Sequence, residues 1–290
     1  MSVSAAPPGA VHHTMDDAAL SAYRRDGFLV LRGLLSPREV AMLRTASDLV
    51  LAEAVQYGRE LDARHPIALR SDHGFYEWDE IDDRQFLYAR DGEGRRVWRR
   101  AERMWSRDAA FRVITANPRV VAAVERAAGA PVLPAHDSMV VKMPGAGATV
   151  PWHRDPPGRA LIERLGDASG DFITDVYVDP STVDNGCVWG IPGSHRCTDE
   201  VDPDDFGRAD AVPLQAEPGD VVLHSTGVLH GSPANRSTAM RRTFYIHYGT
   251  RDTLMHGFWQ RNAGWIEEQA AAFARMAEER RALGIDQPDL

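Results

Sequence analysis

Residues 219–250 read GDVVLHSTGVLHGSPANRSTAMRRTFYIHYGT. Two dense apolar or alternating runs, DVVLHSTGVLHGS and RRTFYIHYGT, flank a segment rich in Pro, Asn and Ser. That is the pattern of β-strands joined by a turn, with no 3.6-residue period to favour helix. The same texture extends upstream to about residue 131, through PVLPAHDSMVVKM, ATVPWH, DFITDVYVD, GCVWGI and AVPLQAEPG. Seven or eight such strands in about 120 residues suit an antiparallel sandwich or jelly roll with the remaining helices packed outside it. The fold class expected is α+β with a mostly β core over about residues 131–250.

Residues 1–16, rich in Ala, Pro and His, read as a disordered tail. Residues 17–290 read as one domain, with no internal repeat and no clean boundary. A helix is expected from Asp17 to Asp26-Gly27, then a buried strand at FLVLRGLL (28–35). Ser36-Pro37-Arg38-Glu39 is a capping box with Pro at the first helical position, which starts a second helix reaching about Gly58. Residues 60–95 mix aromatic and charged groups without a period and read as an irregular segment suited to a lid. Further helices are expected over Val97–Arg107, from Asn117-Pro118 to Gly129, and over Trp265–Leu283.

The net charge of -9 leaves no basic stripe for a polyanion, so neither nucleic acid nor a membrane surface is an expected partner. No apolar run reaches the roughly 20 residues of a membrane span, and the first residues lack a secretory pattern, so the expected location is the cytoplasm. Cys187 and Cys197 are too few for a disulfide framework. Among the 33 cationic side chains the only lysine is Lys142.

The chemistry centres on His153-Arg154-Asp155 and a distant histidine. In an extended segment alternate side chains share a side, so His153 and Asp155 reach one ion while Arg154 points away. Two imidazoles and a carboxylate on one face of an octahedron leave three positions open, the arrangement of non-haem Fe(II) oxygenases. His230, in HGS, supplies the second imidazole, and His224, six residues earlier, is its rival. The HGS context and the spacing to Arg241 favour His230. An Arg brought back across a hairpin from His230 is placed to form a bidentate pair with the far carboxylate of an iron-chelating cosubstrate. Arg242 should face the other way. His153-Arg154-Asp155 and Asp205-Phe206-Gly207 also spell two kinase motifs, but no Gly-rich loop or strand lysine accompanies them.

At these residues the chain resembles the phytanoyl-CoA dioxygenase family of Fe(II)- and 2-oxoglutarate-dependent oxygenases. The resemblance rests on DGFLVLRGLLS, KMPG before PWHRD, NGCVWGIPGSH, GDVVLHS, and HGSPANRS leading to Arg241, in the family's order over residues 22–248. It implies a double-stranded β-helix, the jelly roll. It implies Fe(II) on His153, Asp155 and His230, with O2 as oxidant and 2-oxoglutarate held by Arg241 with help from Ser232. It implies a small-molecule substrate: a secondary metabolite is the first expectation and an acyl-CoA thioester the alternative, with a catalytically silent binding protein as a third reading. Related halogenases replace the carboxylate ligand by a small residue, so Asp155 points to hydroxylation, desaturation or ring closure.

Asp175, Tyr177 and Asp179 alternate along DFITDVYVD and are expected to share a face, either the interior or the surface. Asp175, Tyr177 and Trp189 are the candidate substrate residues. His195 is assigned to satisfying turn backbone groups, His247 to the sheet, and His136, His65, His73 and His256 have no partner pattern. Lys142 leads towards the iron motif, matches a family lysine, and is compatible with a structural role. The oligomeric state is not legible.

Overall fold

The structure, a computed structural model, describes residues 11–64, 77–79, 85–90, 96–145, 149–156, 158–168, 170–257 and 260–285. Its centre is two sheets. The larger has nine strands in the order β1-β2-β11-β8-β13-β6-β5-β4-β3, where β1 is Val11–His12, β2 Phe28–Leu31, β3 Glu77–Asp79, β4 Phe86–Arg90, β5 Arg96–Glu102, β6 Val132–Lys142, β8 Phe172–Tyr177, β11 Val221–Ser225 and β13 Arg241–Thr250. The smaller has four, β10-β9-β12-β7, with β7 Val150–His153, β9 Val188–Gly190, β10 Val212–Leu214 and β12 His230–Ser232. Every pairing is antiparallel except that of β1 with β2. The two sheets face each other as a jelly roll.

Period-two patterning explains why the large sheet has two unlike faces. Leu29, Leu31, Met139, Val141, Phe172, Val176, Val221, Leu223, Phe244, Ile246 and Tyr248 point outward and form one apolar core with helical residues such as Tyr23, Leu43, Val50, Phe111 and Val124. Those helices are α1 (Asp17–Asp26), α2 (Pro37–Arg64), α3 (Ala109–Thr115) and α4 (Pro118–Ala128). The alternate residues face inward and are largely polar: Arg241, Thr243, Tyr245 and His247 on β13, Lys142, Ser138 and His136 on β6, Asp175 and Tyr177 on β8, and His224 on β11. A helix-covered outer face and a polar inner face identify the space between the sheets as the place for chemistry.

Local signals set the helix ends. Asp16 caps α1 by accepting from Ala19 N, and Asn117 caps α4 by accepting from Arg119 N and Val120 N. In the capping box Ser36 N donates to Glu39 Oε2 at 2.6 Å and Glu39 N to Ser36 Oγ at 3.3 Å. The buried Glu39 carboxylate does more than close that box: Oε1 also accepts from Asn117 Nδ2 and Arg280 Nη1, each at 2.7 Å, tying α2 to α4 and to the C-terminal helix Ala263–Ala282. Substituting Glu39 by Ala leaves the buried Arg280 without its carboxylate, so a loss of about 3–5 kcal/mol is expected in urea denaturation. A loss below about 1 kcal/mol would show that the three-helix junction does not depend on it.

Several expectations change. Residues 96–102 form strand β5, not the start of a helix, because they are hydrogen-bonded between β4 and β6 and bury Trp98 and Ala101 in the core. A 3-10 turn at Met104–Ser106 follows. Helix α2 runs past Gly58 to Arg64. Val11 and His12, placed in the tail, pair with Val30 and Leu31. Residues 1–10 lie outside the described residues, as do His65, His73 and much of the 60–95 segment. None of the described helices is long and apolar enough to cross a membrane.

Candidate active site

The small sheet brings the two imidazoles together. His153 on β7 and His230 on β12 are direct cross-strand partners, with ring centroids 4.3 Å apart. Asp155, two residues beyond the end of β7, places Oδ1 3.8 Å from His153 Nε2 and Oδ2 3.5 Å from His230 Nε2. The three ligand atoms lie within 4.8 Å of one another, the only such group of three or more metal-ligating side chains among the described residues.

The backbone fixes which ring nitrogen is presented. His153 Nδ1 is 2.8 Å from Pro151 O and His230 Nδ1 is 3.0 Å from Val228 O, so in each neutral ring Nδ1 carries the proton and donates it to a carbonyl. The Nε2 lone pair then faces the centre. Burial, opposed by Asp155, lowers the His230 pKa and keeps the ring neutral. Burial works to raise the Asp155 carboxyl, but His230, His153, His224 and Arg100 outweigh it and hold the pKa at about 2. Asp155 is therefore ionised, and its buried Oδ2 has no hydrogen-bond partner among the described residues. A buried, orphaned carboxylate oxygen between two neutral imidazoles fits a divalent cation and is costly without one.

Arg154 points away, as the alternation requires. Its guanidinium donates to four backbone carbonyls: Ser194 and Cys197 at 3.0 Å, Gly227 at 2.6 Å and Asp199 at 2.9 Å. It thus staples the His153–Asp155 segment to the turn that leads into His230 and to the 194–199 loop.

Arg241 enters from the other sheet. Strand β13 does not pair with β12, so the expected hairpin is replaced by a crossover from the small sheet to the large one. There Arg241 is 2% exposed, and its Nε and Nη1 have no hydrogen-bond partner among the described residues. Its cross-strand partner is Lys142, buried at 0% exposure, whose Nζ donates to Ser232 O at 2.9 Å and to Pro233 O. Burial, aided by Arg99 and Arg241, pushes the Lys142 pKa well below the usual lysine value. Several cationic groups gathered in a buried space, one with unsatisfied donors, fit an anionic group such as a carboxylate. Ser232 lies on the His230 face of β12, and its Oγ donates to Gly186 O at 2.8 Å.

His224 and His230 are not on one strand. The chain breaks at Thr226-Gly227, so His224 stands on β11 in the large sheet and His230 on β12 in the small one. Their rings nevertheless meet across the interior, with centroids 4.7 Å apart, and His224 Nε2 is 3.6 Å from Asp175 Oδ2.

Asp175 and Tyr177 are buried on the inner face. Burial raises the Asp175 pKa to about 7, with Asp155 adding to the shift and Arg241 opposing it. Folding therefore favours its protonated form, and its penalty is absent below the unfolded pKa near 3.8, grows between 3.8 and about 7, and is full above that. In metal-free protein the stability of Asp175→Asn relative to wild type is expected to improve as pH rises from about 4 to about 8. A pH-independent difference in urea midpoints would refute this.

Asp179 does not share this face: β8 ends at Tyr177, and Asp179 forms a bidentate pair with Arg242 at 2.8 and 2.9 Å on the outer side. Trp189, expected near the substrate, pairs with Gly231 on the outer face of the small sheet, directed away from His230, and packs in a cluster with Trp152, Ile191, Leu229 and Phe206. Phe206 of the kinase-like triplet stacks on Trp152 at 5.1 Å. The His195 ring is buried against Gly27: a Cβ added at Gly27 (φ 84°) would lie 2.3 Å from its Nδ1. His247 meets Asp171 at 3.1 Å. His136, assigned no partner, meets Glu102 at 2.9 Å, a contact that the helical reading of 97–107 concealed.

The chain is 24% identical to phytanoyl-CoA dioxygenase domain-containing protein 1 of Danio rerio over 267 residues, covering 80% of this chain and 89% of that protein. Its fold is similar to AviO1 from Streptomyces viridochromogenes Tue57, with a TM-score of 0.62 and 26% identity over 82% of this chain and 96% of the other. It is also similar in fold to EctD from S. alaskensis, solved with 2-oxoglutarate and 5-hydroxyectoine, with a TM-score of 0.57 and 22% identity over 81% and 76% of the two chains. The sequence pattern of the phytanoyl-CoA dioxygenase (PhyH) family matches residues 23–243, a span that contains His153, Asp155, His230 and Arg241, and the chain belongs to that family.

Proposed function

We propose that this protein is a non-haem Fe(II)- and 2-oxoglutarate-dependent oxygenase that hydroxylates, desaturates or cyclises an unactivated carbon of a small molecule, of the kind found in secondary metabolism. The observation that carries this reading is the convergence of the His153 and His230 Nε2 atoms on the orphaned Asp155 carboxylate, in a cleft that also holds the unsatisfied guanidinium of Arg241. His153, Asp155 and His230 would hold the iron, and Arg241 would take the far carboxylate of 2-oxoglutarate. When bound, iron and 2-oxoglutarate supply the oxidising power, through oxidative decarboxylation of the cosubstrate to succinate and CO2 with O2.

The remaining chemistry is positioning by the chain itself. Lys142 holds the Ser232 and Pro233 carbonyls and thereby ties the end of β12 to β6, the strand that pairs with β13. Arg154 pins the two ligand-bearing segments to each other. The buried inner face excludes water from around the reacting carbon. Ser232 helps to shape the cosubstrate end, and Asp175 and Tyr177 line the interior between it and the iron ligands.

The test is spectroscopic and catalytic. Anaerobic protein with Fe(II) should develop the visible metal-to-ligand charge-transfer band on adding 2-oxoglutarate, and should release succinate once O2 is admitted. Absence of both in folded, iron-loaded protein would overturn the reading.

A further inference from the structure

The cleft has an open side, and apart from His153 the groups on it are not those that would hold the iron or face Arg241. His153 is 33% exposed, Arg100 32% and His136 31%, whereas Glu102, which lies among them, is 6% exposed. Strand β5 places Arg100 and Glu102 on the inner face, opposite Val140 and Ser138 of β6, and His136 lies further along that face of β6. Glu102 is held from both sides: Oε1 meets Arg100 Nε at 2.5 Å and Oε2 meets His136 Nε2 at 2.9 Å. The Arg100 guanidinium stands 5.5 Å over the Tyr245 ring, on the inner face of the large sheet that looks towards the small sheet bearing His153 and His230.

This is a built arginine. The Tyr245 ring lies against its guanidinium, and Glu102, itself in contact with His136, forms its ion pair. A guanidinium offers five N–H donors and no acceptor, so its complement is an oxyanion. Arg100 is separated from Arg241 by one intervening strand, β6, which at about 4.8 Å per step puts the two roughly 10 Å apart across the sheet. Arg241 is sealed in the interior and Arg100 stands at the rim, so they are separate subsites.

We propose that Arg100 anchors a carboxylate or phosphoryl group of the prime substrate beside the iron, with Glu102, His136 and Tyr245 as its positioning residues, while Arg241 serves the cosubstrate. The inference rests on the oxygenase reading and adds the substrate class: a small molecule carrying an oxyanion.

The test uses benzoate as the oxyanion probe and benzyl alcohol as its neutral control, titrated calorimetrically into anaerobic Fe(II)-loaded protein saturated with 2-oxoglutarate. Benzoate should bind wild type more tightly than benzyl alcohol, and Arg100→Ala should weaken benzoate about 10–100-fold, the scale of a lost charge-assisted pair. Glu102→Gln should weaken it a few-fold, and 2-oxoglutarate affinity, read from the charge-transfer band, should move less than about two-fold in Arg100→Ala. The proposal is overturned if Arg100→Ala weakens 2-oxoglutarate as far as Arg241→Ala does, which would make Arg100 a cosubstrate residue, or if benzoate binds no better than benzyl alcohol. Repeating the benzoate titration in metal-free Arg241→Ala, with and without Arg100→Ala, reads the anchor even if 2-oxoglutarate never binds, and so separates its failure from failure of the oxygenase reading. If Arg100→Ala does not fold, Arg100→Lys, which keeps charge and stem but loses the fork, is judged by the same criteria.

Discussion

His230→Ala is expected to weaken Fe(II) binding by more than about 100-fold and to reduce succinate formation to below roughly 1% of wild type. The basis is the ligand set: loss of partners one shell further out already costs about 10–100-fold in metal affinity, and here one of three protein ligands is removed. The informative contrast is His224→Gln. His224 is as buried as His230 and its ring is only 4.7 Å from it, yet its Nε2 is turned towards Asp175 Oδ2 at 3.6 Å. It is therefore expected to keep full iron stoichiometry, with affinity within about ten-fold of wild type. Equilibrium dialysis against Fe(II), with the metal assayed in each variant, checks both. Iron lost equally from the two variants would mean that His224 belongs to the ligand set.

Arg241→Met should separate stability from cosubstrate binding. Two buried guanidinium nitrogens without hydrogen-bond partners among the described residues are a liability in the ligand-free protein, so an apolar side chain of similar length is expected to leave its Tm unchanged or raise it. The same change removes the charge-assisted pair to the far carboxylate, about 3–5 kcal/mol for two such bonds, and should raise the Kd for 2-oxoglutarate by at least about 100-fold. Thermal melts read both effects at once. Wild-type iron-loaded protein gains about 2.7 kcal/mol of stability from 2-oxoglutarate at 100 times its Kd, and Arg241→Met at the same concentration gains almost nothing. A large fall in the ligand-free Tm of Arg241→Met would show that the guanidinium supports the fold, and an unchanged response to 2-oxoglutarate would remove Arg241 from the cosubstrate site.

Two kinds of residue behave differently between sequence and structure, and the difference follows from the range of the forces involved. Helix caps at Asp16, Ser36 with Glu39, and Asn117 are contacts within three residues, and the inward-outward alternation of β6, β8, β11 and β13 is a property of each strand alone. Of these, the caps at Ser36 with Glu39 and at Asn117 are legible in the sequence, together with the shared side of His153 and Asp155 and the opposite facing of Arg241 and Arg242. Residues 96–102 were misread as helix because their apolar positions are few and their strand geometry is imposed by hydrogen bonds from β4 and β6 on either side. Trp189 carries both a substrate-lining and a core reading in the sequence; register with Gly231 turns it out of the cleft and into an apolar cluster, and a one-residue register difference inverts the face of every side chain on a strand.

The sequence by itself determined most of the elements of this protein, the alternation along its strands and the inventory of ligand-type side chains. Only the tertiary structure decided that His230 lies directly across from His153, that Arg241 arrives from the opposite sheet and not across a hairpin, and that Arg100, Glu102 and His136 stand together at the rim. Periodicity records which way a side chain points from its own strand. What it meets there depends on strands distant in sequence, brought opposite by burial of the shared apolar face.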